Sequence, residues 1–516
     1  MISKKNIILL LGFAFLSFSI FIKFAHIDKI YTEIDDIGVI SLHKHYPTGK
    51  SINIFGKDIT VEKEKIQNLE NSILFSSYIT FNWTYSPIQY LSYKIVDYEN
   101  IDYKSKIIFS KLISLTISIF CAIYFFIFLF ITMKKKLYLS IFIVFILFNS
   151  FNFSIYSLHM SPYMSYLLST IIGLYFIENS KKKLNLLPTL NIIFISLYLG
   201  YMNFIFILIL IFTSIRDKKF FYNLNILFNK KKKYLIFYFL LLAPLFLLFI
   251  IKSRTSFLRG KNIDGISNIE EFFYYIYHQS QQVFDFLFLG FFPDLQKLNF
   301  LYFIFFLSLF VFYILRNKKN YIFSICLYYL LIWICLHFLN LLPFDQTRHS
   351  LIFYPIILII LSEIIPINSY SKYTIIFMIV SLYPLSIFNL NKVLHSKKDN
   401  FDLNILKNEK TKNLIIYSGT THTKLFFNKN DFNIIDFNIG LDSYSKKFPE
   451  EAILTSQDMN YIEYSKLNKD FENFLKLYHI KKKLEKNSMI YMPYNNYNVN
   501  SNQNGQFVYE LKLRSN

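Results

Sequence analysis

"IIFSKLISLTISIFCAIYFFIFLFITMKKK", residues 107–136, decides the fold. The stretch through Thr132 is apolar and long enough to cross a hydrocarbon core of roughly 30 Å, which takes ~17–25 residues of helix. It ends on Lys134, Lys135 and Lys136, a basic cluster of the kind that marks a cytoplasmic flank. The pattern recurs along the chain. Apolar runs near 7–27, 137–157, 163–179, 235–251, 299–315, 321–342, 350–367 and 373–391 read as helices, and Lys181–Lys183, Lys230–Lys233 and Arg316/Lys318/Lys319 lie between them.

The stretch 187–214 reads as two short helices turning near Gly200–Asn203. A single helix there would put Arg216–Lys219 and Lys230–Lys233 on the outer side, against the charge rule. The sum is about eleven helices, with the N-terminus inside and the C-terminus outside. Helices too short to span alone are re-entrant or packed within the bundle. The N-terminal run has a Lys4–Lys5 flank and no small-residue cleavage site, so it reads as an uncleaved anchor.

Composition agrees. Of 516 residues, 54% are hydrophobic and the mean hydropathy is +0.35. Phe (60) and Tyr (40) are abundant while Gly is scarce, which suits AT-rich codon usage and carries little functional meaning. The formal charge of +21 sits in loops between apolar runs, which argues for a multi-pass cell-membrane protein and against nucleic acid as partner. Cys121, Cys326 and Cys335 all lie within apolar runs, so there is neither a disulfide framework nor a cysteine metal motif.

On this topology the outer side holds a first loop at 28–105 with interfacial helices, a turn at "LHMSPYM" (158–164) with His159, a loop at 252–298, the turn "PFDQTRHS" (343–350), and a tail. The chain divides into a transmembrane domain, 1–391, and a soluble extracytoplasmic domain, 392–516, of α/β or α+β type. Within the tail, "NLIIYSGTTHT" (413–423) reads as a strand ending in a Gly turn, and "YIEYSKLNKDFENFLKLYHIKKKLEK" (461–486) reads as helix.

Chemistry-bearing residues gather in the outer segments. Glu33, Asp35 and Asp36 in "YTEIDDIGV" (31–39) follow the first helix directly. Such acids cap the next helix, or serve as a general base whose pKa partial burial raises. "WTYSPIQYLSYKI" (83–95) crowds Tyr85 and Tyr90 around Pro87, as an aromatic belt or a site loop. Only six arginines occur in a Lys-biased chain, and Arg254, Arg259 and Arg348 fall near outer helix ends, with Lys252 and His349 beside them. Arginine forks onto phosphate where lysine acts as a point charge; an interfacial anchor is the bland reading of Arg348.

Taken in order, these segments resemble the GT-C superfamily of membrane glycosyltransferases, in particular the bacterial relatives of protein mannosyltransferases. "IDDIGV" is similar to the family's acidic pair, with Asp36 where Glu is usual. "YSPIQY" (85–90) resembles its proline motif, with Tyr85 and Ser86 replacing His and Pro. "SKLISLTISIF" (110–120) resembles the opening of the second helix, with Lys111 for Arg. "RHSLIFYP" (348–355) resembles a late motif that begins an outer-facing helix, with His349 for Tyr. The resemblance covers most of residues 1–395; the tail matches no family motif.

The resemblance implies transfer of a sugar from a polyprenyl-phosphate donor to an extracytoplasmic glycan, lipid or protein acceptor, with inversion. It implies Asp35 as base, with Asp36 or Glu33 positioning the acceptor or a divalent cation. Arg348 and His349 would hold the donor phosphate, with Lys252, Arg254 or Arg259. The runner-up classes are a polysaccharide polymerase or ligase, which would not need an acidic pair after its first helix, and a lipid-linked glycan transporter, which would carry charges or broken helices in its midplane.

Overall fold

The computed structural model describes residues 4–25, 51–54, 57–60, 103–159, 163–183, 268–288, 321–338, 348–365, 413–418, 433–436, 449–456, 475–486, 490–491, 498–499 and 506–514, with isolated positions between them. The described part is mostly helical and carries a small sheet. It falls into two compact units, one holding Met1–Ile27 and Phe109–Asn391, the other holding Lys392–Asn516. The expected helices at 187–214, 235–251, 299–315 and 373–391 lie largely outside the described residues.

The first unit opens with α1 (Lys4–Ala25). A short antiparallel pair, β1 (Ser51–Ile54) and β2 (Lys57–Thr60), sets Ile52 opposite Ile59. The interfacial helices expected in 28–105 fall outside the described residues. The opening stretch is α2 (Tyr103–Ile127), whose end widens into a π-helical turn, Phe128–Thr132. Ile108–Thr132 is the one helical segment among the described residues long and apolar enough to cross a membrane. The turn closes as the Met133 N–H donates to the Phe128 carbonyl at 2.9 Å and Lys134 takes a left-handed φ of 56°. A left-handed residue past the last turn stops a helix.

The expected single helix over 137–157 is two: α3 (Leu137–Asn149) and α4 (Phe151–Tyr156), separated by extended Ser150 (φ −63°, ψ 147°). Asn149 and Ser150 cause the break. The Asn149 side-chain amide donates to the Phe145 carbonyl at 3.1 Å, and the Ser150 hydroxyl to the Leu147 carbonyl at 3.2 Å. Such side-chain bonds compete with the helical ladder. Across the break lies α1. The Ser19 hydroxyl donates to Asn149 Oδ1 at 2.7 Å, and the Lys23 ammonium donates to the Phe148 carbonyl at 2.7 Å.

Four further elements complete the described helices: α5 (Tyr163–Lys183), α6 (Ile269–Phe288), α7 (Tyr321–Phe338) and α8 (Tyr354–Ile364). The expected start of a regular helix at 350 is corrected. Arg348–Phe353 form a 3-10 helix, and α8 begins only at Tyr354 with Pro355 in its first turn. Proline has no N–H to donate and its ring collides with the carbonyl four residues back, so regular α-helix cannot run through it from 348. At the other end of α8, Lys135 Nζ lies 2.9 Å from Glu363 Oε1 and donates to the Ser362 carbonyl at 3.1 Å. That places a cation on the carbonyl end of a helix, where the dipole favours it.

The second unit is built on a five-stranded sheet. Its strands are β3 (Asn413–Ser418), β4 (Asn433–Asp436), β5 (Glu451–Ser456), β6 (Tyr478–Lys486) and β9 (Gln506–Leu513), in the order β4-β3-β5-β9-β6. A separate two-stranded pair joins β7 (Ile490–Tyr491) to β8 (Asn498–Val499). The β4-β3-β5 part is parallel and the rest antiparallel. In β5 three consecutive residues, Ala452, Ile453 and Leu454, are buried, so that strand is covered on both faces.

One sequence reading is overturned here. The stretch 461–486 was expected to be helical, yet Tyr478–Lys486 is an edge strand paired along β9, with a bulge between Ile480 and Lys482. Tertiary pairing overrides the helical preference of the "KKKLEK" run. The charged edge also protects the sheet from pairing with other chains. Lys481 sits in the bulge and reaches Glu451 Oε1 at 2.6 Å, and this hydrogen bond, then the charge, holds the Glu451 carboxyl below its ordinary range.

Candidate functional site

Elements from, or leading into, three of the expected outer segments pack together in the first unit. The 3-10 helix carrying Arg348 and His349 packs against both α5 and α6, and α6 packs in turn against α4, whose last residue leads into the His159 turn. In that turn His159 is buried. Its ring lies 5.0 Å from the Tyr156 ring, which meets Tyr163 edge-on at 5.7 Å. The end of the helix tightens there: the Leu158 N–H donates to the Ile155 carbonyl at 2.9 Å and the His159 N–H to the Tyr156 carbonyl at 3.3 Å. The His159 ring is thus fixed by aromatic packing on the α4 side of the cluster.

The 3-10 helix is anchored from behind. Phe353 meets Trp333 of α7 edge-on at 4.6 Å, and the Tyr354 hydroxyl donates to the Ile146 carbonyl of α3 at 3.2 Å. Trp333, Phe353 and Tyr354 are fully buried. The backbone that presents Arg348 and His349 therefore rests on a rigid aromatic base. Rigid support is what a group needs if it is to hold a ligand in one geometry.

Helix α6 lies within the segment 252–298, whose sequence reads as a loop. Asn268 starts it, accepting the Glu271 N–H on its side-chain oxygen at 2.8 Å, and Glu270 and Glu271 sit in the first turn, where the dipole favours anions. Its inward stripe runs Phe272, Tyr275, Gln279, Val283 and Leu287, spaced by three or four residues. Ile269, Phe273 and Tyr274 are exposed. On the inward stripe Tyr275 Oη and His337 Nε2 of α7 share a hydrogen bond of 2.8 Å, with the two rings nearly parallel. Phe272 stacks on Phe338 at 4.8 Å beside them.

Tyr275, Gln279 and His337 are thus functional candidates that sequence reading missed. The available signal was Asn268 followed by two acids, a helix start, and then a stripe with polar residues at two inward positions. Of the expected site residues, the structure places His159 and the backbone of Arg348 and His349. Asp35, Asp36, Glu33, Tyr85, Pro87, Tyr90, Lys252, Arg254 and Arg259 lie outside the described residues. Among the described residues no group of three or more His, Cys, Asp or Glu could hold a metal ion.

A second feature is apolar. A cavity of about 110 Å³ opens between α1, α2 and α3, walled by Phe13, Leu16, Phe126, Ile141 and Phe145, with Asn149 in the lining. Asn149 is the residue bonded to Ser19, so the polar contact between α1 and α3 adjoins the apolar space.

No protein-family model matches the chain, and no curated protein matches it.

Proposed function

We propose that the chain is an integral membrane glycosyltransferase of about eleven helices that transfers a sugar from a polyprenyl-phosphate donor to an extracytoplasmic acceptor. The observation that carries this reading is the packing of elements from, or leading into, three of the expected outer segments. Helix α4, which leads into the His159 turn, packs on α6, and α6 packs on the 3-10 helix opening on Arg348; the charge rule assigns the turn, α6 and the 3-10 helix to the same side of a membrane. Convergence of residues from separated loops is how a multi-helix enzyme assembles a site.

In this reading Asp35 takes the proton from the acceptor hydroxyl, and the acceptor oxygen attacks the anomeric carbon from the face opposite the leaving phosphate. The bond from that carbon to the phosphate oxygen breaks, and the configuration inverts. Arg348, with His349, Arg254, Arg259 or Lys252, meets the charge that develops on the lipid phosphate. Asp36 or Glu33 orients the acceptor or a divalent cation. Tyr85, Pro87 and Tyr90 shape the acceptor loop. An apolar space between helices, like that between α1 and α3, suits a hydrocarbon chain. In this reading the unit 392–516 is extracytoplasmic.

Deletion of the gene in its host followed by mass spectrometry of surface glycans tests this. Loss of one defined sugar, restored by the wild-type gene, is the expected result. Accumulation of single repeat units in place of long chains would instead mark a polymerase.

A further inference from the structure

The inward stripe of α6 is apolar except at Tyr275 and Gln279, which stand one turn apart on the same face. Tyr275 is committed: its hydroxyl is bonded to His337, and that bond fixes both rings. Gln279 is not. Only 8% of it is exposed, and its carbonyl oxygen has no hydrogen-bond partner among the described residues. Leaving a buried amide oxygen unpaired costs about 1–3 kcal/mol. A leucine would fill the position without that cost. Packing among the described residues therefore does not call for a glutamine there, whereas a ligand that offers a hydroxyl does.

We propose that Gln279, one helical turn from the Tyr275–His337 pair, is the specificity-determining residue of a subsite for the sugar unit of the donor. A side-chain amide offers one acceptor and two donors, which matches neighbouring hydroxyls of a pyranose. Along the same face, Phe272 and Tyr275, packed on Phe338 and His337 of α7, supply flat apolar surface of the kind that faces the C–H side of a sugar. A few placed polar groups in an otherwise aromatic wall is the usual build of a small-molecule site. The subsite adjoins the cluster already described, because the same helix packs on α4 and on the 3-10 helix of Arg348. It rests on the transferase reading for the identity of its ligand.

The test is binding by full-length protein in nanodiscs, measured by titration calorimetry. The probes are polyprenyl phosphate alone and polyprenyl phosphate bearing glucose, mannose, galactose or N-acetylglucosamine. Wild type is expected to bind one glycosylated lipid at least about tenfold tighter than the bare lipid, the worth of one or two hydrogen bonds. Gln279→Leu is expected to bind bare lipid unchanged and to lose that tenfold preference, while melting at the same temperature or higher. His337→Phe, which frees Tyr275, is expected to weaken the preference without abolishing lipid binding. Full retention of the preference in Gln279→Leu would overturn the subsite and leave the transferase reading standing. Failure of wild type to bind any of the lipids would overturn both. If Gln279→Leu does not fold, Gln279→Met serves: it keeps the side-chain length but offers neither acceptor nor amide donors, and unchanged sugar preference in it would overturn the proposal.

Discussion

The Lys23 ammonium donates to the Phe148 carbonyl at 2.7 Å, at the point where α3 ends and the chain breaks before α4. It also lies 3.6 Å from the Phe148 ring centre and 5.1 Å from that of Phe153, with no exposure to solvent. A helix C-terminus carries partial negative charge and aromatic faces attract cations, so the site suits an ammonium that has left water. Lys23 is the clamp that holds α1 against the break.

Lys23→Ala removes the aliphatic stem as well as the charge and is expected to cost about 2–4 kcal/mol. Lys23→Met keeps the stem and needs no buried charge, and is expected to stay within about 1 kcal/mol of wild type. Melting of the purified chain in detergent separates the two.

Gly173 of α5 faces Phe206, and a Cβ there would lie 2.4 Å from the edge of its ring. Phe206 is fully buried and packs against Tyr329 at 5.5 Å, so it cannot swing away freely. Alanine gains about 1 kcal/mol of helix preference over glycine, against roughly 1–3 kcal/mol of overpacking. Gly173→Ala is expected to lower membrane abundance, and adding Phe206→Leu to restore part of it. Abundance unchanged by Gly173→Ala would show that the two do not meet.

The pair Lys135–Glu363 is nearly enclosed, with side chains 12% and 11% exposed. A double-mutant cycle of Lys135→Met and Glu363→Gln is expected to give a coupling of about 1 kcal/mol or more, above the usual worth of an exposed pair. A coupling near zero would remove this tie between the end of α8 and the turn after α2.

In the sheet unit, Lys481 depresses the Glu451 carboxyl, chiefly through the hydrogen bond. A depressed carboxyl adds stability above its unfolded pKa, and that share is lost as pH falls through the lower folded value. Hydrogen exchange in β5 and β6 is therefore expected to quicken in wild type below the ordinary carboxylate range, and to do so less in Glu451→Gln. Tyr478 contributes on the alkaline side. Burial raises the Tyr478 phenol to about 12, and its O–H donates to the Pro449 carbonyl at 3.0 Å. Its share is present below pH ~10, the unperturbed phenol value, and lost as pH rises through about 12.

The reach of sequence reading differs by element. The α2 run and its lysine stop were plain, because length and charge carry that signal. The break at Ser150 was hidden, because it depends on two side chains choosing local carbonyls over the ladder. Pro355 was visible, yet its effect is a 3-10 lead-in that no apolar count reveals. Tyr478–Lys486 looked helical because its pairing partner, β9, arrives some 20 residues later. For the site, Arg348, His349 and His159 stood out by residue type, whereas Tyr275, Gln279 and His337 did not. Their meaning comes from the pairing of α6 with α7, a contact across distant sequence. The acid pair Asp35–Asp36 rests on the sequence alone.

That pair is also the sharpest point of attack. The gene deletion should be complemented in parallel with wild type and with Asp35→Asn, and the surface glycans weighed by mass spectrometry beside the membrane abundance of each protein. The account predicts normal abundance of Asp35→Asn with the defined sugar still missing. Restoration of that sugar by Asp35→Asn would contradict it.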